Sequence, residues 1–190
     1  EVSIRMAVRW LTYIAAFLVT ACAPSIVTDI GIETGEQVEC GYNIGDILCD
    51  IQLVDQHGDD WSLYDNSAKA TVIDLSVMWC APCQASATVA EDIVNSYSDD
   101  NVQWVTILIE DSQGNAPDLD DLQAWASTYH GSSPIVAGDR SLIDISGENG
   151  FPLTSWPTFL VIDEDATIWW MLKGWSEQMI RDMIEDVLAR

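Results

Sequence analysis

Trp79-Cys80-Ala81-Pro82-Cys83 places two cysteines three positions apart. That spacing lets the pair close a small disulfide, open it again and pass two electrons to another thiol pair. Cys80 and Cys83 are therefore the candidate reacting groups. The species that attacks a disulfide is the thiolate, so whatever stabilises a negative sulfur at this point promotes the chemistry.

The flanking segments are read as the elements that hold the pair. Residues 71–77, Thr-Val-Ile-Asp-Leu-Ser-Val, are mostly apolar, rich in β-branched types and of strand length. Residues 84–97 read as a helix, with Ala85, Val89, Ile93, Val94 and Tyr97 at helical spacing. Pro82 falls near the first turn, where its missing N–H costs nothing. The dithiol thus lies at a strand-to-helix junction with Cys80 at the helix N-terminus. Unpaired N–H groups and the positive end of the macrodipole favour a thiolate there. Cysteines in such sites ionise below the free value of about 8.5. Cys80, at the exposed helix start, is the expected attacking sulfur, and Cys83, one turn inside, the resolving one.

Composition bounds the rest. A 190-residue chain that is 48% hydrophobic can bury a real core and is not a disordered segment. Acidic residues outnumber basic ones 31 to 7, which makes nucleic acid a poor partner. The charge is read as a solvated acidic exterior, with steering of cationic partners as the alternative. Near the N-terminus, Arg5 and Arg9 precede the apolar run of residues 10–19, too short for a comfortable membrane span. This fits a secretory signal. The run ends in Val19-Thr20-Ala21-Cys22, which resembles the bacterial lipobox, whose cysteine is lipidated. Residues 1–21 are accordingly expected to be a lipoprotein signal peptide, with Met6 a candidate start, and residues 22–41 a tether lipidated at Cys22. Ala23 follows the cysteine where an inner-membrane retention signal would place Asp. The alternative is an ordinary signal or membrane anchor with an incidental cysteine.

Setting aside Cys22 and the dithiol leaves Cys40 and Cys49. In an oxidising compartment an even remainder suggests a disulfide. The loop it would close contains Gly41, Asn43, Gly45 and Asp46, all suited to turns. A structural staple is the first reading; a second redox pair or two free thiols are the others. A zinc site is not expected, since two spaced ligand pairs are lacking.

From Tyr42 the chain reads as one globular domain to Arg190. Residues 51–54 and 61–63 flank a turn and suggest a hairpin. Residues 102–109 suggest a buried strand, 119–129 a helix with Leu119, Leu122, Trp125, Ala126 and Tyr129 on one stripe, and 135–136 a short strand. A short helix is expected around 141–146, and two strands at 158–162 and 167–172. Ser176 is expected to cap a last helix whose core face is Met179, Ile180, Met183, Ile184, Val187 and Leu188. Glu110 and Asp111 are read as solvated loop acids, with tuning of Cys83 as the alternative. His57 and His130 are isolated.

This order of elements resembles the thioredoxin fold. More narrowly it resembles the TlpA/ResA-like thiol-disulfide oxidoreductases of the bacterial envelope, near the redoxin and AhpC/TSA group. The likeness runs from Tyr42 to Arg190. It is carried by Gly45-Asp46, Leu53-Val54-Asp55-Gln56-His57-Gly58, Trp61-Ser62-Leu63, Lys69-Ala70-Thr71-Val72-Ile73, the Trp79–Cys83 motif, Gly138-Asp139, residues 156–163 (Trp-Pro-Thr-Phe-Leu-Val-Ile-Asp) and Lys173-Gly174. It implies an α/β fold: a central mixed sheet flanked by helices, with an N-terminal hairpin and a helix-containing insertion after the dithiol.

The resemblance also implies site roles. Pro157 would form a cis peptide facing the dithiol, leaving the backbone of residue 156 free to pair with an extended substrate. Trp79, Ala81, Pro82 and Trp156 would line the substrate surface. Trp156 is bulkier than the family's usual residue there. Asp74, six residues before Cys80, stands where many TlpA-like proteins have a neutral amide and in this resembles thioredoxin itself. Burial raises such a carboxyl's pKa toward working pH and suits it to proton transfer with Cys83; a hydrogen-bonded structural aspartate is the alternative. No cofactor and no metal are implied. Expected partners are disulfide-containing envelope proteins, a membrane electron donor and, through the lipid on Cys22, the membrane itself. With no histidine between the cysteines, a reductant or isomerase-like role is expected rather than that of a strong oxidant. The competing readings are a thiol peroxidase of the redoxin group and a redox-inert binding lipoprotein of the same fold.

Overall fold

The computed structural model describes residues 39–129 and 131–190. The expected signal peptide, the expected lipidation site Cys22, most of the expected tether and His130 lie outside the described residues.

The first elements are β1 (Cys40–Gly41) and β2 (Ile47–Leu48), which pair in parallel, then β3 (Gln52–Val54) and β4 (Asp60–Ser62), the expected antiparallel hairpin. The described fold thus starts slightly ahead of Tyr42. After them come β5 (Ala70–Val77), α1 (Ala81–Ser96), β6 (Val102–Glu110), α2 (Leu119–Tyr129), β7 (Ile135–Ala137), β8 (Thr158–Asp163), β9 (Ile168–Lys173) and α3 (Glu177–Leu188). Five strands form the main sheet in the order β7-β6-β5-β8-β9. β5, β6 and β7 run parallel, while β8 and β9 are antiparallel to their neighbours. All eight residues of β5 are buried. Covered on both faces, a central strand reads as a continuous apolar run and not as an alternating one.

Strand parity divides the core in two. Ala70, Val72, Trp104, Phe159 and Val161 pack with Ala90 and Ile93 of α1 and with Ile180, Met183, Ile184 and Val187 of α3. Ile73, Leu75, Val105, Ile107, Leu160 and Ile162 pack with Leu122 and Trp125 of α2 and with Trp61 and Leu63 beside the hairpin. Cys80, Cys83 and Ala87, in the first turns of α1, join this second cluster. The dithiol therefore closes the core at one end of the sheet.

Three expectations change. The helix expected at 141–146 is a single 3-10 turn, Arg140–Leu142. Ile143 then bridges to Phe151, and the Asp144 carboxylate accepts the backbone N–H groups of Ser146 and Asn149. Such side-chain bonds compete with helical ones and end the helix. Leu119 and Met179, placed by periodicity on core faces, are 40% and 45% exposed; both lie in the first turn of their helices. Ser176 caps α3 as expected, accepting the Met179 N–H at 3.4 Å.

Candidate active site

β5 ends at Val77, and the Cys80 N–H donates to the Val77 carbonyl at 3.3 Å, turning the chain sharply. Cys80 is the N-cap of α1, with extended backbone, and its Sγ accepts the Cys83 N–H at 3.2 Å. The sulfur thus occupies the place of a capping oxygen and takes up an otherwise orphaned helix donor. Gln84 fastens the turn from the other side: its N–H reaches the Cys80 carbonyl at 3.1 Å and its Nε2 the Met78 carbonyl at 2.7 Å. Cys80 and Cys83 are bonded as a disulfide.

Exposure corrects one expectation. Cys80 is not an open helix start: it is 6% exposed, and Cys83 is fully buried. The open surface belongs to its neighbours, Trp79 at 48% and the exposed Ala81 and Pro82. Trp156 is half-buried against the cluster that contains both cysteines, and the Trp156–Pro157 bond is cis. The pairing of Leu75 with Thr158 sets Pro157 at the dithiol end of the sheet. The Pro157 carbonyl accepts the Gly174 N–H at 2.8 Å.

Asp74 lies on the face of β5 that carries α1, with Val72 and Ser76. It is completely buried. Ser76 Oγ donates to its Oδ1 at 2.5 Å and Thr106 Oγ1 to its Oδ2 at 3.4 Å; Trp104 Nε1 donates in turn to Thr106 Oγ1 at 3.2 Å. Burial pushes the Asp74 carboxyl up to about 7, against the downward pull of these hydrogen bonds. Ser76 and Thr106 are partners that sequence reasoning did not name. Their signal was a polar residue two positions along the same strand face and another at the paired position of β6.

Glu110 and Asp111 are not solvated loop acids. Glu110 is 3% exposed and Asp111 8%. Glu110 Oε2 accepts the Trp79 indole N–H at 2.8 Å, while Oε1 pairs with Arg140, whose side chain is 68% exposed. Asp111 accepts the backbone N–H groups of Gln113 and Asn115 at 2.7 and 2.8 Å, and these hold its carboxyl below its ordinary value. His57 is exposed in the β3–β4 turn. Cys40 and Cys49 are bonded to each other at the β1–β2 ladder, on a different element from the dithiol. A cavity of about 440 Å³ lined by Ile47, Tyr64, Thr71 and Asp163 opens at the other end of β5, away from Cys80.

The AhpC/TSA family model matches residues 44–171, which include the dithiol, Asp74 and Pro157. A DsbF homologue from Corynebacterium diphtheriae is similar in structure, with a TM-score of 0.61 at 18% identity over 80% of this chain and 95% of that one. A thioredoxin-family thiol:disulfide interchange protein from Chlorobium tepidum gives 0.59 at 17% identity, over 79% and 98%. A secreted Mycobacterium tuberculosis disulfide oxidoreductase homologous to E. coli DsbE gives 0.54 at 16%, over 72% and 95%. No curated protein matches by sequence. With its strand–dithiol–helix junction, its mixed five-stranded sheet and a matching model over two thirds of its length, the chain belongs to the AhpC/TSA family and has the thioredoxin fold.

Proposed function

We propose that this protein is a thiol-disulfide oxidoreductase that exchanges its Cys80–Cys83 pair with disulfides of other exported proteins, acting as the electron donor. The observation that carries the reading is the capping of α1 by the Cys80 sulfur, just past the end of a strand that carries a buried carboxyl poised near neutrality. In the reduced enzyme the Cys80 thiolate attacks one sulfur of the client disulfide. A mixed disulfide forms and one client sulfur leaves as a thiolate. Cys83 gives its proton to the Asp74 carboxylate and attacks Cys80 Sγ. The second client sulfur leaves, and Cys80 and Cys83 end as a disulfide. Two electrons have moved to the client, and the proton held at Asp74 is available to the departing thiolate. A membrane electron donor would reset the pair. Trp79, Ala81, Pro82, Trp156 and Pro157 form the surface on which an extended client docks.

The donor direction rests on the Ala81-Pro82 pair, which places no histidine to favour the reduced form further. Export is supported by the second disulfide, Cys40–Cys49, and by the likeness to a secreted oxidoreductase. On this reading residues 1–21 are removed and Cys22 is lipidated, so that a domain from about residue 42 stands off the membrane. Labelled palmitate is expected to enter the wild-type protein and not Cys22→Ser; label retained in the variant would overturn the anchor.

The test of function is dithiothreitol-driven reduction of insulin by the wild-type domain, run beside a peroxide-consumption assay. Insulin reduction without peroxide turnover is the expected result. Peroxide turnover alone would make the protein a peroxidase, and neither activity would make it a binding module. A peroxidatic site needs a threonine or serine and an arginine arranged around one cysteine, and the guanidinium of Arg140 is engaged by Glu110. The donor direction has its own measurement, the equilibrium potential of the dithiol. A value near the roughly −120 mV of the strongest envelope oxidants would reverse it.

A further inference from the structure

The exchange chemistry uses the dithiol, Asp74 and Pro157 and leaves Arg140 and Glu110 without a task. In a chain with 31 acidic residues, the placing of each cation carries information. Among the described residues, Arg181 and Arg190 pair with Glu177 and Asp186 along α3, Lys69 precedes the far end of β5, and Lys173 donates to Thr154 Oγ1. Arg140 alone reaches a carboxylate at the dithiol end of the sheet.

That carboxylate belongs to a residue tied to the two positions that lead into the reacting sulfur. The Met78 N–H donates to the Glu110 carbonyl at 3.0 Å, and Trp79 donates its indole N–H to Glu110 Oε2 at 2.8 Å. Cys80 follows directly, so its Cα lies within about 7 Å of that of Met78. The Glu110 charge, 3% exposed, is therefore held by the indole of the residue that precedes Cys80, itself 6% exposed, in surroundings that water screens poorly. Left uncompensated, it would oppose ionisation of Cys80.

We propose that Arg140 is a positioning residue for the exchange reaction: by pairing with Glu110 it cancels the carboxylate that orients Trp79 and so keeps Cys80 easily ionised. This rests on Cys80 being the attacking thiolate. The other charged groups around Cys80 do not supply the same cancellation. Asp74 is on the α1 side of β5 and bound to Ser76 and Thr106. Asp111 is turned to the N–H groups of Gln113 and Asn115, and Asp139 to that of Ser141. The first turn of α1 contains no charged residue, and Lys173, beyond Pro157, is held by Thr154. The arrangement also explains why a buried carboxylate is kept next to a site that needs a negative sulfur. Glu110 fixes an exposed indole beside Cys80, and Arg140 removes the electrostatic penalty of doing so.

The experiment titrates Cys80 alkylation by iodoacetamide in the reduced domain, read by mass on the Cys80 peptide. Arg140→Met is expected to raise the midpoint by about half to one pH unit, a three- to tenfold loss of thiolate below it. Arg140→Lys is expected to titrate with the wild type, and Arg140→Met combined with Glu110→Gln to return to it. Glu110→Gln alone keeps an acceptor for the indole and is expected to lower the midpoint; it preserves the test should Arg140→Met fail to fold. An Arg140→Met midpoint equal to the wild type, or a double variant that stays with the single one, would overturn the proposal. A wild-type midpoint at the ordinary value of about 8.5 would instead sink the reading of Cys80 on which it rests.

Discussion

Asp74→Asn is expected to stabilise the oxidised protein at pH 8 relative to the wild type far more than it does at pH 4. In the unfolded chain the carboxyl titrates near its ordinary 3.8; in the fold, burial moves it to about 7. A folded pKa above the unfolded one means that the native state binds the proton more tightly. Its contribution to stability is full below about pH 4 and is lost as pH rises toward 7. Above that range the fold carries a buried anion whose cost, from the displacement itself, is on the order of 4 kcal/mol. Asparagine has no such charge, so the gap between variant and wild type should widen by that order across the interval. The difference curve is the quantity to measure, by urea midpoints at matched pH. Asp50, Asp111, Asp139, Asp144 and Asp186 all have lowered values, so their stabilisation is lost on acidification, the opposite trend. They contribute equally to both proteins and cancel. Parallel curves would mean that Asp74 titrates as an ordinary solvated acid. The same substitution is expected to remove the limb of the exchange-rate pH profile centred near 7, and an unchanged profile would end the proton-transfer role.

The dithiol and its flanking elements were legible because they are local. A buried strand of eight residues, two sulfurs and a helical stripe all lie within one short stretch, and the macrodipole argument needs nothing from elsewhere. Asp74 was visible as an acid inside an apolar run. Glu110 was misread because its environment is assembled from a distance. Its burial depends on Trp79, 31 residues earlier, and on Arg140, in a turn with no periodic signal. Gln56 was missed for the same reason. It is 6% exposed, and its side chain joins the β3–β4 turn to the chain entering β7, through the Ile135 N–H at 2.9 Å and the Ser133 carbonyl at 3.2 Å. Periodicity erred where it always has least to say, at helix ends. Leu119 and Met179 continue their stripes but open into solvent, and the Asp144 side chain diverts its segment from helix to turn. The two cysteines were readable in the sequence; the groups packed around them came from tertiary contacts.

Cys83→Ser is expected to convert turnover into capture, and Cys80→Ser to abolish both. The fully buried Cys83 cannot be reached by a client's disulfide, whereas Cys80, 6% exposed, still touches the surface. On the proposed exchange mechanism first attack therefore belongs to Cys80, and a variant lacking it has no sulfur to present. In Cys83→Ser the first step is intact, but nothing within the protein can attack the mixed disulfide. Neighbouring groups held in place act at effective concentrations that reach about 10⁵ M or more. Even a small fraction of that exceeds a millimolar external thiol, so turnover should fall at least about a thousandfold. The covalent client complex should then accumulate, stable to non-reducing electrophoresis and released by dithiothreitol. The serine is nearly isosteric and its hydroxyl replaces a thiol facing the apolar cluster, so some stability is lost; a urea midpoint on each variant separates that loss from the chemistry. The complex is also the direct route to the client, since whatever remains attached to Cys80 is what the site selects. Were Cys83→Ser to turn over at the wild-type rate without an accumulating adduct, resolution would have to come from an external thiol. The sulfur one turn inside α1 would then be a structural partner of Cys80 and not its second reactant.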